Sequence, residues 1–157
     1  MDIGFGTGIL SGKLYENGHT VDGVDFSPEM ITIAQEKMPS ANLVEWDITD
    51  GLPPAMDGKV YDAIISTYAL HHLNDEEKTP FIGSLLQRLA PDGKLFIGDI
   101  AFRTREELEQ CRLDSIDYWD GDEFYFVFDE LKAALNGSCQ CEFHPVSHCG
   151  GVIVISR

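Results

Sequence analysis

Short apolar runs alternate with amphipathic stretches along most of the chain. The apolar runs predict strands at 20–25, 42–46, 60–67 and 94–99, with a final pair at 142–146 and 151–156. Apolar positions at helical spacing predict helices at 9–15, 28–38, 75–89, 106–112 and 129–136. Strands that alternate with helices imply a mostly parallel sheet with helices on both faces, so we predict one α/β domain over residues 1–157. The final pair is predicted to be an antiparallel hairpin.

Local signals add detail to this pattern. Ser27 is predicted to cap a helix whose first residue is Pro28, and Asp75 is predicted to cap the next helix. The continuous apolar residues 63–65 predict a strand that is buried on both faces. Residues 90–93, Ala-Pro-Asp-Gly, predict a turn before the fourth strand.

A glycine-rich turn opens the chain as Asp-Ile-Gly-Phe-Gly-Thr-Gly at residues 2–8. Glycine lets a backbone turn sharply and approach a ligand closely. The free N–H groups of the helix that follows favour an anionic group such as a carboxylate or phosphate. A dinucleotide fingerprint needs a third glycine where this chain has Ile9, so a nicotinamide oxidoreductase is disfavoured.

Two acidic residues close the strands that follow the turn. Asp25 ends the first of these strands, 17 residues after Gly8, and Asp47 comes directly after the second. A carboxylate at the first position can accept hydrogen bonds from both hydroxyls of a ribose, and open α/β sheets bind ligands at the carboxyl ends of their strands. The alternative is that both acids are ordinary turn residues.

Charge narrows the classes of partner. The chain has 11 basic and 27 acidic side chains, a formal net charge of −16. Nucleic acids and anionic lipids attract basic surfaces, so we predict neither as a partner. The chain has no apolar run of about 20 residues and no leader-like start, and we predict a cytoplasmic protein with a small-molecule partner.

Cysteine and histidine crowd near the C-terminal end as Cys139, Cys141, His144, His148 and Cys149. Thiols and imidazoles are zinc ligands, but this spacing fits no zinc-finger pattern. The favoured interpretation is a hairpin that happens to be rich in these residues, with free thiols and no metal. Zinc stays as the alternative.

The motifs together resemble those of a class I S-adenosylmethionine-dependent methyltransferase of the small-molecule type. The resemblance rests on residues 2–8, 24–30, 47–48, 61–62, 66–73 and 89–94. It implies a Rossmann-like sheet and S-adenosylmethionine as the cofactor. In this family the glycine turn borders the methionine part of the cofactor, which implies that role for Gly4, Gly6 and Gly8.

The same resemblance implies roles for single residues. Asp25 would hold the ribose hydroxyls, Phe26 would pack on the adenine, Asp47 and Ile48 would meet the adenine edge, and Ser66 would lie near the methionine amine. The implied cofactor-binding residues are therefore Gly4, Phe5, Gly6, Gly8, Asp25, Phe26, Asp47, Ile48 and Ser66.

Methyl transfer is an in-line displacement that mainly requires alignment and exclusion of water, so a general base is optional. His71 and His72 follow the third strand, and we predict His71 as the catalytic base. The alternative is that one histidine packs or caps the following helix and neither contacts substrate.

The methyl acceptor is less defined. Enzymes that methylate amino groups of bases or glutamine have a Pro-Pro-aromatic motif where this chain has Ser-Thr-Tyr-Ala at 66–69, so that subgroup is disfavoured. Residues 114–130 hold seven acids and six aromatics. They form either part of a pocket for an apolar or cationic small molecule or, as we favour, an acidic surface with aromatics turned inward.

The resemblance also predicts a difference at the N-terminal end. The family has a full central first strand, preceded by helices, where this chain has only Met1, Asp2 and Ile3. A truncated first strand is explained by a fragment of a longer enzyme, which we favour, by a homo-oligomer that supplies the strand, or by a non-catalytic binding module.

Overall fold

The computed structural model describes residues 1–135, 137 and 139–157. The strands are β1 (Asp2–Ile3), β2 (Asp22–Asp25), β3 (Asn42–Glu45), β4 (Tyr61–Thr67), β5 (Leu89–Phe102), β6 (Phe126–Val127), β7 (Gln140–Pro145) and β8 (Gly150–Ser156). The helices are α1 (Ile9–Glu16), α2 (Pro28–Lys37), α3 (Asp75–Leu86), α4 (Arg105–Asp114) and α5 (Phe128–Ala134). The predicted end of the last helix at residue 136 lies outside the described residues.

The described strands form one sheet in the order β3-β2-β1-β4-β5-β8-β7, and β6 pairs with β5. The first five strands in this order run parallel, whereas β8 is antiparallel to both β5 and β7. The predicted fold class, a mostly parallel α/β sheet with an antiparallel C-terminal hairpin, is therefore confirmed.

The central strand β1 is two residues long, as the prediction of a truncated first strand requires. Asp2 and Ile3 pair with β2 on one side and β4 on the other. Met1 extends the pairing with β4, because its ammonium group donates to the carbonyl of Ala63 (2.9 Å) and its carbonyl accepts from the N–H of Ile65 (2.9 Å). The first residue of the chain thus satisfies backbone groups of the neighbouring strand.

Burial of β4 differs from the prediction. Ile64 is fully buried, but Ala63 is exposed and Ile65 only half-buried, so the prediction of burial on both faces was wrong here. The two side chains lie along an open groove of about 590 Å³ that Met1 and Leu14 also line. An apolar run shows that a strand is suited to burial; it does not show which element covers each face.

The N-terminal end of α3 also differs from the prediction. Its N-cap is Asn74 rather than Asp75, and the Asn74 side chain accepts from the N–H groups of Glu76 and Glu77. The Glu77 carboxylate accepts from the Asn74 N–H at 3.0 Å, which completes a capping box. Leu89, which was predicted to end this helix, begins β5.

The predicted turn at 90–93 is a bulge inside β5. Tyr61 lies opposite Leu89 and Ala63 lies opposite Lys94, so four residues of β5 face a single residue of β4. Asp92 within the bulge has a φ of 64°. None of the helices that the structure describes has the length and apolar character needed to cross a membrane.

Candidate functional site

A cavity of about 570 Å³ lies at the carboxyl edge of the sheet, where β1, β2, β3 and β4 end. Each of these parallel strands contributes residues at its carboxyl end or directly after it. Six of the residues predicted from the sequence line this cavity: Gly4, Gly6, Asp25, Phe26, Asp47 and Ile48. The position is the one where open α/β sheets bind ligands.

The glycine turn forms one wall of the cavity, and two of its glycines are required for different reasons. Gly4 has a φ of 69°, and a Cβ there would lie 2.3 Å from the Cβ of Ala69, so glycine permits close approach of the two loops. Gly6 has a φ of 54° and nothing within 4 Å of the position of its absent Cβ. The Gly6 backbone therefore faces open space in the cavity.

Asp25 holds the turn in place. This side chain is buried, and its Oδ2 accepts from the N–H of Gly6 (2.8 Å) while its Oδ1 accepts from the N–H of Ser27 (2.9 Å). One carboxylate thus connects the glycine turn to the start of α2, where Ser27 is the N-cap as predicted. Each carboxylate oxygen can accept more than one hydrogen bond, so acceptor capacity is left for a ligand.

Phe26 and Asp47 contribute an aromatic ring and a carboxylate to the cavity lining. Phe26 is 70% exposed although it lines the cavity, which is unusual for a large aromatic side chain at the foot of a sheet. Asp47 follows β3 and accepts from the backbone N–H (2.9 Å) and the hydroxyl (2.7 Å) of Thr49, and these two bonds lower the pKa of the Asp47 carboxyl. The wall therefore offers an aromatic face beside an ionised carboxylate.

Three of the predicted residues lie away from the cavity. Phe5 is buried in a cluster with Val21 and α2, so only its backbone belongs to the turn. Gly8 packs against α2, where a Cβ would come within 3.0 Å of Met38. Ser66 is fully buried in β4, and its Oγ has no hydrogen-bond partner among the described residues.

His71 is buried beside the cavity rather than in its wall. Its Nδ1 lies 2.7 Å from Oδ1 of Asp99, and its Nε2 lies 3.4 Å from Oε1 of Glu123. The bond to Asp99 raises the pKa of the His71 imidazole, against the opposing effect of burial. The His71 carbonyl accepts from the N–H of Phe124 (2.8 Å), so His71 also contacts the segment 120–125 through its main chain.

Sequence reasoning did not single out several residues of the cavity wall, which are Met30, Trp46, Thr67, Tyr68 and Ala69, and it treated His72 only beside His71. Tyr68 has a φ of 51° and is 67% exposed, and its N–H donates to the carbonyl of Gly98 (2.9 Å). Most of these residues lie at the end of a parallel strand or directly after it, and this position in the chain is the signal that could have identified them.

The fold and cavity define a Rossmann-like α/β protein with a ligand site at the carboxyl edge of its sheet. A family model described as a methyltransferase domain matches residues 1–93. The chain therefore belongs to the methyltransferase domain family.

Relatives support this assignment. An uncharacterized methyltransferase of Oceanobacillus iheyensis is 38% identical over 106 residues, which are 68% of this chain and 48% of the relative. One of Alkaliphilus oremlandii is 34% identical over 133 residues, 85% of this chain and 58% of the relative. The chain thus spans about half the length of the curated relatives it matches.

A solved structure is similar in fold. The complex of the protein DhpI with SAM and HEP superposes with a TM-score of 0.77 at 19% identity. The match covers 99% of this chain and 77% of that protein. At this identity the similarity concerns the fold alone.

Proposed function

We propose that this chain is the cofactor-binding region of a methyltransferase and that S-adenosylmethionine binds in the cavity at the carboxyl edge of the sheet. The observation that carries the proposal is the buried carboxylate of Asp25, which lies between the open backbone of Gly6 and the exposed ring of Phe26. Family membership and the SAM complex of DhpI give further support.

The residues fit the parts of this cofactor. Its ribose hydroxyls would donate to Asp25, its adenine would pack on Phe26, and the adenine edge would meet Asp47 and Ile48. The methionine part would lie along the turn at residues 4–6, where the open space beside Gly6 leaves room for it. Ser66 lies outside the cavity lining, and its buried Oγ has no hydrogen-bond partner among the described residues, so an ordered water is needed to satisfy it.

S-adenosylmethionine supplies a methyl group on a positively charged sulfur, so the chain's own task is to orient the acceptor and exclude water. His71 as the base stays a prediction. Its two ring nitrogens lie beside Asp99 and Glu123, so this geometry suits His71 better to positioning the segment 120–125 than to accepting a proton from a substrate. His72, which lines the cavity, is the histidine nearer to a bound ligand.

We propose a small-molecule acceptor for the complete protein. The net charge of −16 disfavours nucleic acid, and the cavity wall carries the exposed aromatic side chains Phe26 and Tyr68. The sheet that runs from residue 2 to residue 156 supports one domain over residues 1–157.

Thermal unfolding with and without ligand tests the binding proposal. S-adenosylmethionine or its demethylated product at 100 times its Kd should stabilise the chain by about 2.7 kcal/mol, a rise in Tm of roughly 5–10 °C for a chain of this size. Asp25→Ala should remove the shift, whereas Asp50→Ala, which removes an exposed acid outside the cavity wall, should retain it. A parent chain that shows no shift would contradict the proposal.

Transfer of an isotopically labelled methyl group to a panel of small molecules separates an enzyme from a non-catalytic binding module. Product that depends on Asp25 supports the methyltransferase. Binding without transfer, repeated with an N-terminally extended chain, would favour the non-catalytic module.

A further inference from the structure

Three metal-ligating side chains meet at the tip of the β7–β8 hairpin, away from the cofactor cavity. Cys111 comes from α4, and His148 and Cys149 come from the turn between the two strands. The two sulfur atoms and the imidazole nitrogen all lie within 4.8 Å of one another. His148 is exposed and both cysteines are half-buried and free, so the cluster is reachable from solvent.

Main-chain hydrogen bonds fix the turn that carries two of these side chains. The N–H groups of Val146 and Ser147 both donate to the carbonyl of Gly150, at 2.9 and 3.1 Å. The carbonyl of Cys149 accepts from the N–H of Ala101 in β5 (3.2 Å). The backbone that carries His148 and Cys149 is therefore held by the hairpin and its neighbour strand.

The third side chain is fixed by packing. Helix α4 lies on the core through Leu108, which belongs to a cluster with Phe102 and Val127, and Cys111 and Cys149 both pack against that cluster. Residues 38 positions apart in sequence are thus held together by the core beneath them. Cys111, His148 and Cys149 are therefore close together before any metal binds, and this lowers the conformational entropy that binding must cost.

The donor set matches zinc. Zn²⁺ binds Cys sulfur at about 2.3 Å and His nitrogen at about 2.0–2.1 Å in tetrahedral geometry, so its ligand atoms lie roughly 3.5–3.8 Å apart. The donor atoms lie within 4.8 Å of one another, so each pair must close by at most about 1.3 Å to reach these values, a distance that side-chain rotation can cover. A bound dication favours the thiolate, so binding would release protons.

The other cysteines and histidine of the C-terminal segment are placed differently. The sulfur atoms of Cys139 and Cys141 lie 3.6 Å apart and pack against the main core cluster. His144 Nε2 lies 3.3 Å from Oε2 of Glu142 on the exposed side of β7. The five residues grouped by sequence thus divide among three places. Within the part of the chain that the structure describes, His148 and Cys149 are the two of them that lie beside a third possible metal ligand, Cys111.

We propose that Cys111, His148 and Cys149 form a zinc site that fastens the β7–β8 hairpin to α4. Asp114 lines the same cleft as Cys111 and His148, so a water molecule or that carboxylate would serve as the fourth ligand. The site is structural in its effect, because it joins two elements that are distant in sequence.

Titration with Co²⁺ and then Zn²⁺ tests the site directly. The full chain, reduced and stripped of metal with a chelator, should bind one Co²⁺ with visible bands of tetrahedral cobalt and a near-ultraviolet thiolate-to-metal band, and Zn²⁺ should displace it. Cys111→Ser and Cys149→Ser should each weaken binding by at least about 100-fold and reduce the thiolate band. The matched variants Cys141→Ser and His144→Ala should leave both unchanged.

Thermal unfolding with and without zinc distinguishes loss of the metal site from a general loss of folding. In the presence of chelator, His148→Ala should unfold at the temperature of the parent chain, because this side chain is exposed. With Zn²⁺ the parent should gain stability and His148→Ala should gain much less. Absence of cobalt binding to the parent, or a thiolate band that is lost in Cys141→Ser and kept in Cys111→Ser, would overturn the proposal.

Discussion

Substitution of Gly4 by alanine is the most informative test of how the glycine turn is built. An alanine Cβ at this position would lie 2.3 Å from the Cβ of Ala69, whereas carbon atoms in contact prefer about 3.5–4.0 Å. The two loops must therefore separate by more than an ångström. The φ of 69° adds strain, because a side chain is disfavoured in the left-handed region.

The two effects give an expected magnitude. The left-handed conformation costs roughly 1–2 kcal/mol for a residue with a Cβ. Overpacking of this kind costs about 1–3 kcal/mol. We expect Gly4→Ala to lower the free energy of unfolding by about 2–5 kcal/mol, which is a large part of the roughly 5–15 kcal/mol that holds a typical domain folded.

Urea denaturation of Gly4→Ala and two comparison variants measures these changes in the free energy of unfolding. Gly6→Ala has the same backbone strain without the clash and should cost only about 1–2 kcal/mol. Gly12→Ala, inside α1 with open space at the Cβ position, should be neutral or stabilising by up to about 1 kcal/mol. Gly4→Ala no less stable than Gly6→Ala would refute the close approach of the two loops.

Three further predictions concern stability. Asn74→Ala removes the capping box of α3 and should lower the free energy of unfolding by about 1 kcal/mol, measured by urea denaturation. Burial raises the pKa of Asp2 from 3.8 to about 6, so the carboxylate form is disfavoured in the folded chain. The parent should therefore lose about 2–3 kcal/mol relative to Asp2→Asn as the pH rises from about 4 to 7, and equal pH profiles would contradict this. The pKa of His71 is raised by Asp99, so its stabilising contribution is full below about pH 6.5 and is lost as the pH rises through the folded-state pKa. His71→Asn should therefore destabilise the chain more at about pH 6 than at about pH 9, and a constant difference would count against the ion pair.

Features that depend on neighbours in sequence were predictable. The strand and helix alternation gave the correct fold class, and Ser27 and Pro28 begin α2 as their capping preferences require. The positions of Asp25 and Asp47 at strand ends also indicated that both would lie at the same edge of the sheet, because parallel strands place their carboxyl ends on one edge.

Features that depend on distant neighbours were not predictable. Asn74 and Asp75 are both good N-caps, and only the observed hydrogen bonds select Asn74. The environment of His71 is set by Asp99, which lies 28 residues further along the chain, on β5. Similarly, linear spacing grouped the five Cys and His residues at 139–149, whereas packing of α4 brings Cys111 to two of them.

The central claim is that the cavity beside Asp25 and Phe26 binds S-adenosylmethionine or its product. Calorimetric titration with S-adenosylhomocysteine, at two temperatures, tests it most directly. We expect one site per chain and a Kd about 5- to 150-fold weaker in Phe26→Ala, since adenine stacking on an aromatic ring contributes roughly 1–3 kcal/mol. No binding by the parent, or the same Kd in Phe26→Ala and Asp25→Asn as in the parent, would contradict the claim.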